Sequence, residues 1–99
     1  MTQRRGVGPV SPEELADTVS AAAMSVKRTV VAKVNGLGFV SEVRFGPEVR
    51  NWDAVTLNNR ARAVAAVAHD RHLANTKLIG DGTVPTLEAV AADERALKF

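Results

Sequence analysis

The chain has 99 residues, 13 of them basic and 11 acidic, for a net charge of +2, and it contains no cysteine. That length suits one small domain. The missing thiols exclude disulfides and thiolate metal sites, and no apolar run approaches the roughly 20 residues that a membrane-spanning helix needs. The hydrophobic share of 45 % is ordinary, but it is built largely of Ala and Val, with Phe39, Phe45, Phe99 and Trp52 as the aromatic residues. At roughly 25 cal/mol per Å² of buried apolar surface, such side chains contribute little each. Small domains with thin cores are commonly completed by association, so a homodimer is expected.

Residues 1–10 carry Gly6, Gly8 and Pro9 and read as a flexible arm; residues 11–99 read as a single domain. The arm bears Arg4 and Arg5 without an apolar segment behind them, so it lacks the pattern of a secretory signal, and a cytoplasmic protein is expected. Ser11, Pro12 and Glu14 have the spacing of a capping box with proline at the first helical position. Leu15, Val19, Ala22 and Ala23 continue as an apolar stripe, which predicts a helix from Ser11 to about Met24.

From Arg28 the period changes to two. In "VVAKVNGLGFVSEVRF" (Val30 to Phe45), Asn35-Gly36 marks an antiparallel β-hairpin. A two-residue turn there sets Val34 opposite Leu37, Ala32 opposite Phe39 and Val30 opposite Ser41; Gly38 allows a longer turn and a shifted register. Val43 and Phe45 share the apolar face, whereas Thr29, Lys33, Glu42 and Arg44 form a wet face on which Val31 and Val40 also fall. Gly46-Pro47 ends the second strand, and Asp53 or Asn51 can cap the next helix. "WDAVTLNNRARAVAAVAHDRHLANTKL" predicts one helix of about six or seven turns, with Leu57, Ala61, Val64 and Ala68 along one face and Trp52 as an anchor at its start. Ile79 to Pro85 is a glycine-rich turn, and a short C-terminal helix comes after it with Leu87, Val90, Ala91 and Leu97 as its apolar positions. The expected fold is α+β: N-terminal helix, hairpin, long helix, short helix. The candidates for core or dimer interface are Val34, Phe39, Val43, Phe45, Trp52, Leu57 and Val64.

Chemistry-bearing patterns are sparse. His69 and His72 can share a helical face, but no third ligand stands at a matching offset, so they read as exposed and without a role, and no metal or other cofactor is expected. The spaced glycines of "NGLG" and "GDG" match neither phosphate-loop pattern. No serine lies in a nucleophile elbow, and the paired carboxylates fall at helix ends or on solvent faces. The sequence therefore reads as non-enzymatic. Among the basic residues, Arg60 and Arg71 lie three helical turns apart on nearly one side, with Arg62 almost opposite. In a dimer, two copies of Arg4, Arg5, Arg60, Arg71 and Lys77 would join into a surface for DNA phosphates, giving affinity without base reading.

The order of helix, glycine-centred hairpin, proline and long Ala-rich helix resembles the YbaB/EbfC nucleoid-associated family, in a divergent, actinobacterial form. The segments that carry it are "VAKVNGLGFVSEVRFGPEV" and "LNNRARAVAAVAHDR", from Val30 to about Ala74. The resemblance implies an intertwined α/β homodimer that binds DNA without strong sequence preference. Some actinobacterial relatives of that family sit beside type VII secretion genes. The alternative reading is a protein-interaction module, an accessory or chaperone-like subunit without DNA binding, in keeping with the near-balanced charge and the Ala-lined long helix.

Overall fold

The computed structural model describes residues 11–76 and 84–99. Residues 1–10, with Arg4 and Arg5, lie outside them, as do Lys77 and the Gly80-Asp81-Gly82 part of the expected turn. The architecture is α+β. A short helix α1 (Pro12–Asp17) precedes three strands, β1 (Val19–Met24), β2 (Val30–Asn35) and β3 (Val40–Phe45); a 3₁₀ turn (Pro47–Asn51), a long helix α2 (Ala54–Thr76) and a short helix α3 (Leu87–Arg95) complete the order. The strands form one antiparallel sheet in the order β1-β2-β3.

The capping box forms as its spacing predicts. The Ser11 hydroxyl accepts the Glu14 N–H at 3.2 Å, and the Glu14 carboxylate accepts the Ser11 N–H at 3.0 Å. The helix stops at Asp17, however, and the segment expected to continue it to Met24 is strand β1. Alanine favours helix by intrinsic propensity, but propensity is a weak preference that tertiary pairing overrides. Here Ala21 and Ala23 point into the core and pair with Val34 and Ala32 of β2. Gly36 fixes the break: its N–H donates to Leu15 O at 2.8 Å and Thr18 O at 3.1 Å, satisfying carbonyls that the end of α1 leaves open. A Cβ at position 36 would lie 2.8 Å from Leu15 Cδ2 and 3.0 Å from Leu15 O, so glycine eases this close approach.

The hairpin is present, but its turn is longer than two residues. Val34 pairs with Val40, Ala32 with Val43 and Val30 with Phe45. Asn35 is the cause: its side-chain oxygen accepts the N–H groups of both Leu37 and Phe39 at 3.0 Å, an Asx arrangement that organises a wider loop. Gly38 completes it with a φ of 90°. Phe39 therefore leaves the strand and stands 66 % exposed, whereas Val40 joins the core side instead of the wet face. Lys33 and Glu42 do sit opposite each other on the wet face, with Nζ and Oε1 3.7 Å apart. Thr29, expected to be wet, is buried; its hydroxyl lies 3.0 Å from Ser25 Oγ inside the β1–β2 turn.

Asp53 caps α2 by accepting the Thr56 N–H at 2.7 Å, and this bond holds its carboxyl below the ordinary carboxylate range. The long helix lies across β1 and β2 and scarcely reaches β3. Val64, Val67, Ala68, His72 and Ala74 are its buried positions, while Leu57 and Ala61 of the expected stripe are half-buried. Thr86 caps α3, which buries Val90 and leads to the buried Leu97, whereas Leu87 stays exposed. The tail then runs along the β1–β2 turn, where Val26 N–H donates to Leu97 O at 2.8 Å and Lys27 N–H to Phe99 O at 3.0 Å. The largest fully buried apolar side chains are Val30, Val34, Val64 and Val90, each contributing about 1.5–2 kcal/mol. No described helix is long and apolar enough to cross a membrane.

Candidate functional site

Arg60 and Arg71 stand eleven residues apart on α2, about 16 Å along its axis at 1.5 Å per residue, and they do share a side. That side faces α3 and the tail. Arg71 donates from Nη1 to Ala22 O at 2.7 Å and reaches the two Glu94 carboxylate oxygens at 2.9 and 3.2 Å. Glu94 in turn accepts the Met24 N–H at 2.9 Å. The bond from Arg71 holds the Glu94 carboxyl below its ordinary range, against the opposing effect of burial. Arg71, expected to touch phosphate, is therefore a tie between α2, α3 and the edge of β1. Bidentate Arg–carboxylate pairs of this kind are the strong ones.

Arg60 has different surroundings. Its guanidinium carbon lies 4.4 Å from the centroid of Trp52 and 4.9 Å from that of Phe99, while the two rings meet edge to face at 6.0 Å. A guanidinium beside aromatic rings is drawn to their electron-rich faces, and its N–H donors can still bond elsewhere. Lys27, Glu48 and Lys98 line the same cleft, whose volume is about 270 Å³. Among the described residues, Lys27, Arg28, Arg50, Arg60 and Lys98 form no ion pair; the pairs present join Lys33 and Arg44 to Glu42 and Arg71 to Glu94. The β1–β2 turn, the 3₁₀ turn, the start of α2 and the tail thus gather cations at one end of the sheet. Sequence pattern does not single out Lys27 and Lys98, because only the folded tail brings residue 98 beside residue 27. The Lys27-Arg28 pair in a short turn is the one local signal.

His69 is exposed, but His72 is buried, contrary to expectation. Its Nδ1 lies 2.6 Å from Ser20 Oγ, and its Nε2 edge faces Gly38. The imidazole thereby joins α2 to β1 and to the β2–β3 loop. The residues described include no group of three His, Cys, Asp or Glu side chains able to hold a metal ion.

The two sheet edges are unlike. On β1, alternate residues present their backbone outward, and side chains take it up: Arg71 at Ala22 O, Glu94 at Met24 N–H, and Asn75 Nδ2 at Ser20 O, the last at 3.5 Å. On β3 no described side chain does the same, and α2 leaves its core-side residues partly uncovered. Phe39, Val40 and Phe45 are exposed there and Val43 is half-buried. Of the expected core or interface residues, Val34 and Val64 are interior, Trp52 and Leu57 are half-buried along α2 and its approach, and Phe39, Val43 and Phe45 gather at β3. Comparison with protein-family models, curated proteins and solved structures finds no match to this chain.

Proposed function

We propose that this is a dimeric protein of the YbaB/EbfC nucleoid-associated type that binds DNA without sequence preference, through contacts to phosphate. The observation that carries this reading is a group of cations that form no ion pair among the described residues, Lys27, Arg28, Arg50, Arg60 and Lys98, at one end of the sheet, where Arg60 acts only at longer range on Asp53. Charges of this kind neutralise phosphates and release counterions, and this supplies affinity independent of sequence. A second copy of the chain doubles the charge, and the β3 edge, which no described side chain covers, gives that copy a place to pair.

The test is a gel-shift titration of unrelated duplexes at two salt concentrations. Equal affinities that fall steeply with salt are expected. Absence of retardation at micromolar protein in low salt would refute the reading. Arg71→Ala, which breaks an internal tie, is expected to lower stability and leave the affinity of the folded protein within about twofold, since the bonds it removes are internal and none reaches phosphate.

The exposed apolar residues Phe39, Val40 and Phe45 favour a second reading, a protein-interaction module whose partner is another protein. Partners recovered from cell lysate that persist after nuclease treatment would support it, and loss of every partner on nuclease treatment would count against it.

A further inference from the structure

We propose that the cleft around Arg60 is a discrete phosphate-binding site, in which the guanidinium held on Trp52 and Phe99 supplies a two-pronged hydrogen-bonding edge while Lys27 and Lys98 supply charge. The inference rests on the DNA reading for its occupant in the cell, a phosphate of the nucleic-acid backbone.

Four observations converge on it. The Arg60 guanidinium carbon lies 4.4 and 4.9 Å from the centroids of Trp52 and Phe99, so two rings pack against the side chain. Among the described residues its N–H edges meet no carboxylate and no carbonyl within hydrogen-bonding distance, in contrast to Arg71, whose donors are engaged on Glu94 and Ala22. A planar fork with free donors matches the paired oxygens of a phosphate, and holding it beforehand removes much of the ordering cost of binding. The charged side chains lining the cleft are three cations and the carboxylate of Glu48, with the Asp53 carboxylate acting on Arg60 from farther off. The volume, about 270 Å³, admits a phosphate group with its flanking sugar atoms and leaves no depth for a large apolar ligand.

The other arginine on this side of α2 explains why the site is local. Arg71 and Glu94 cancel each other and close the far end of the α2–α3 seam. Positive potential is thereby concentrated at the tail end, where Lys98 follows the buried Leu97 and Lys27 is fixed by its backbone bond to Phe99.

The chain holds a single tryptophan, so its fluorescence reports on this cleft alone. The experiment titrates the full chain with a duplex of arbitrary sequence and, separately, with inorganic phosphate at constant ionic strength, following Trp52 emission. Both are expected to give saturable changes. The exposed pair Lys27→Gln and Lys98→Gln is expected to lower the slope of log affinity for DNA against log salt by about two, at roughly 0.9 for each phosphate no longer neutralised. Arg60→Lys keeps the charge but loses the fork, and it is expected to weaken binding about fivefold with an unchanged salt slope. Circular dichroism confirms that each variant is folded.

If DNA binds and the Lys27→Gln, Lys98→Gln and Arg60→Lys variants match the parent in affinity and salt slope, this site is wrong while the DNA reading stands. If DNA does not bind but inorganic phosphate perturbs Trp52 in the parent and not in the double variant, the site stands and the DNA reading falls. If neither ligand perturbs Trp52 and no DNA is retarded, both fall.

Discussion

Single residues decide the local course of this chain by geometry more than by chemistry. Asn35 turns a potential two-residue hairpin into a wider loop by accepting two N–H groups, and Gly38 completes the loop at a φ of 90°. That conformation strains any residue with a Cβ, and a Cβ there would also lie 3.3 Å from His72 Nε2. Gly38→Ala is therefore expected to destabilise the fold by about 1–3 kcal/mol, read as a lower midpoint in urea unfolding with an unchanged slope. An unchanged midpoint would mean that the loop relaxes freely and that Asn35 alone sets the register. Ser20 and His72 add a polar tie at the same place, 2.6 Å apart, which is why an imidazole on an Ala-rich helix is buried instead of solvated. Periodicity on one helix does not reveal a partner on a distant strand.

At the scale of elements, the ends of helices and strands are more legible in the sequence than the element between Asp17 and Ser25. The Ser11 capping box, the Asp53 cap, the glycine-proline stop after Phe45 and the length of α2 all rest on local chemistry, and local chemistry is written in adjacent residues. Strand β1 is not. Its alternation of buried Ala21 and Ala23 with Ala22 shows no contrast in polarity, so a run of alanines supports a helix as well as a strand until β2 is beside it. The cation cluster is half legible for a related reason. Arg60 is visible on a helix face, but its aromatic seat and its lysine neighbours come from the tail, which only tertiary packing places.

The tail and α3 are held in turn by Glu94, and here charge has a consequence for pH. The Glu94 carboxyl is held low by its bond from Arg71. A carboxyl with a lowered folded-state pKa stabilises the fold above the ordinary carboxylate range, and that stabilisation is lost as pH falls through its folded value. The pair is about a quarter exposed on each side, at 23 % and 26 %, so solvent screening limits its worth to about 1–2 kcal/mol. Glu94→Gln is expected to lower unfolding stability by that amount near neutral pH, and to differ little from the parent in acid. Amide exchange in α3 should quicken in the variant. An equal deficit at both pH values would mean that packing, not charge, is what the substitution disturbs.

The whole molecule presents two sheet edges with opposite fates, and this asymmetry bears on assembly. Side chains from α2 and α3 bond Ser20 O, Ala22 O and Met24 N–H on the outer edge of β1, so those groups are taken up within the chain. No described side chain covers the edge of β3 in this way, and it carries exposed Phe39, Val40 and Phe45 over a core whose largest fully buried apolar side chains are valines. An uncovered apolar edge strand pairs readily with another chain, and a thin core gains from the area such pairing removes from water. The expected partner is a second copy joined through β3, and light scattering is expected to give twice the chain mass at working concentration. Phe45→Glu places a charge at the edge without touching the buried valines, and Phe39→Glu does so in the adjoining loop. Each is expected to raise the dimer dissociation constant by at least about tenfold, equivalent to roughly 1.4 kcal/mol, while the monomer keeps its secondary structure by circular dichroism. A parent chain that is monomeric at every concentration would overturn the dimer itself. A dimer insensitive to both substitutions would instead move its interface away from β3, and the doubled phosphate surface would then have to be built around a different axis.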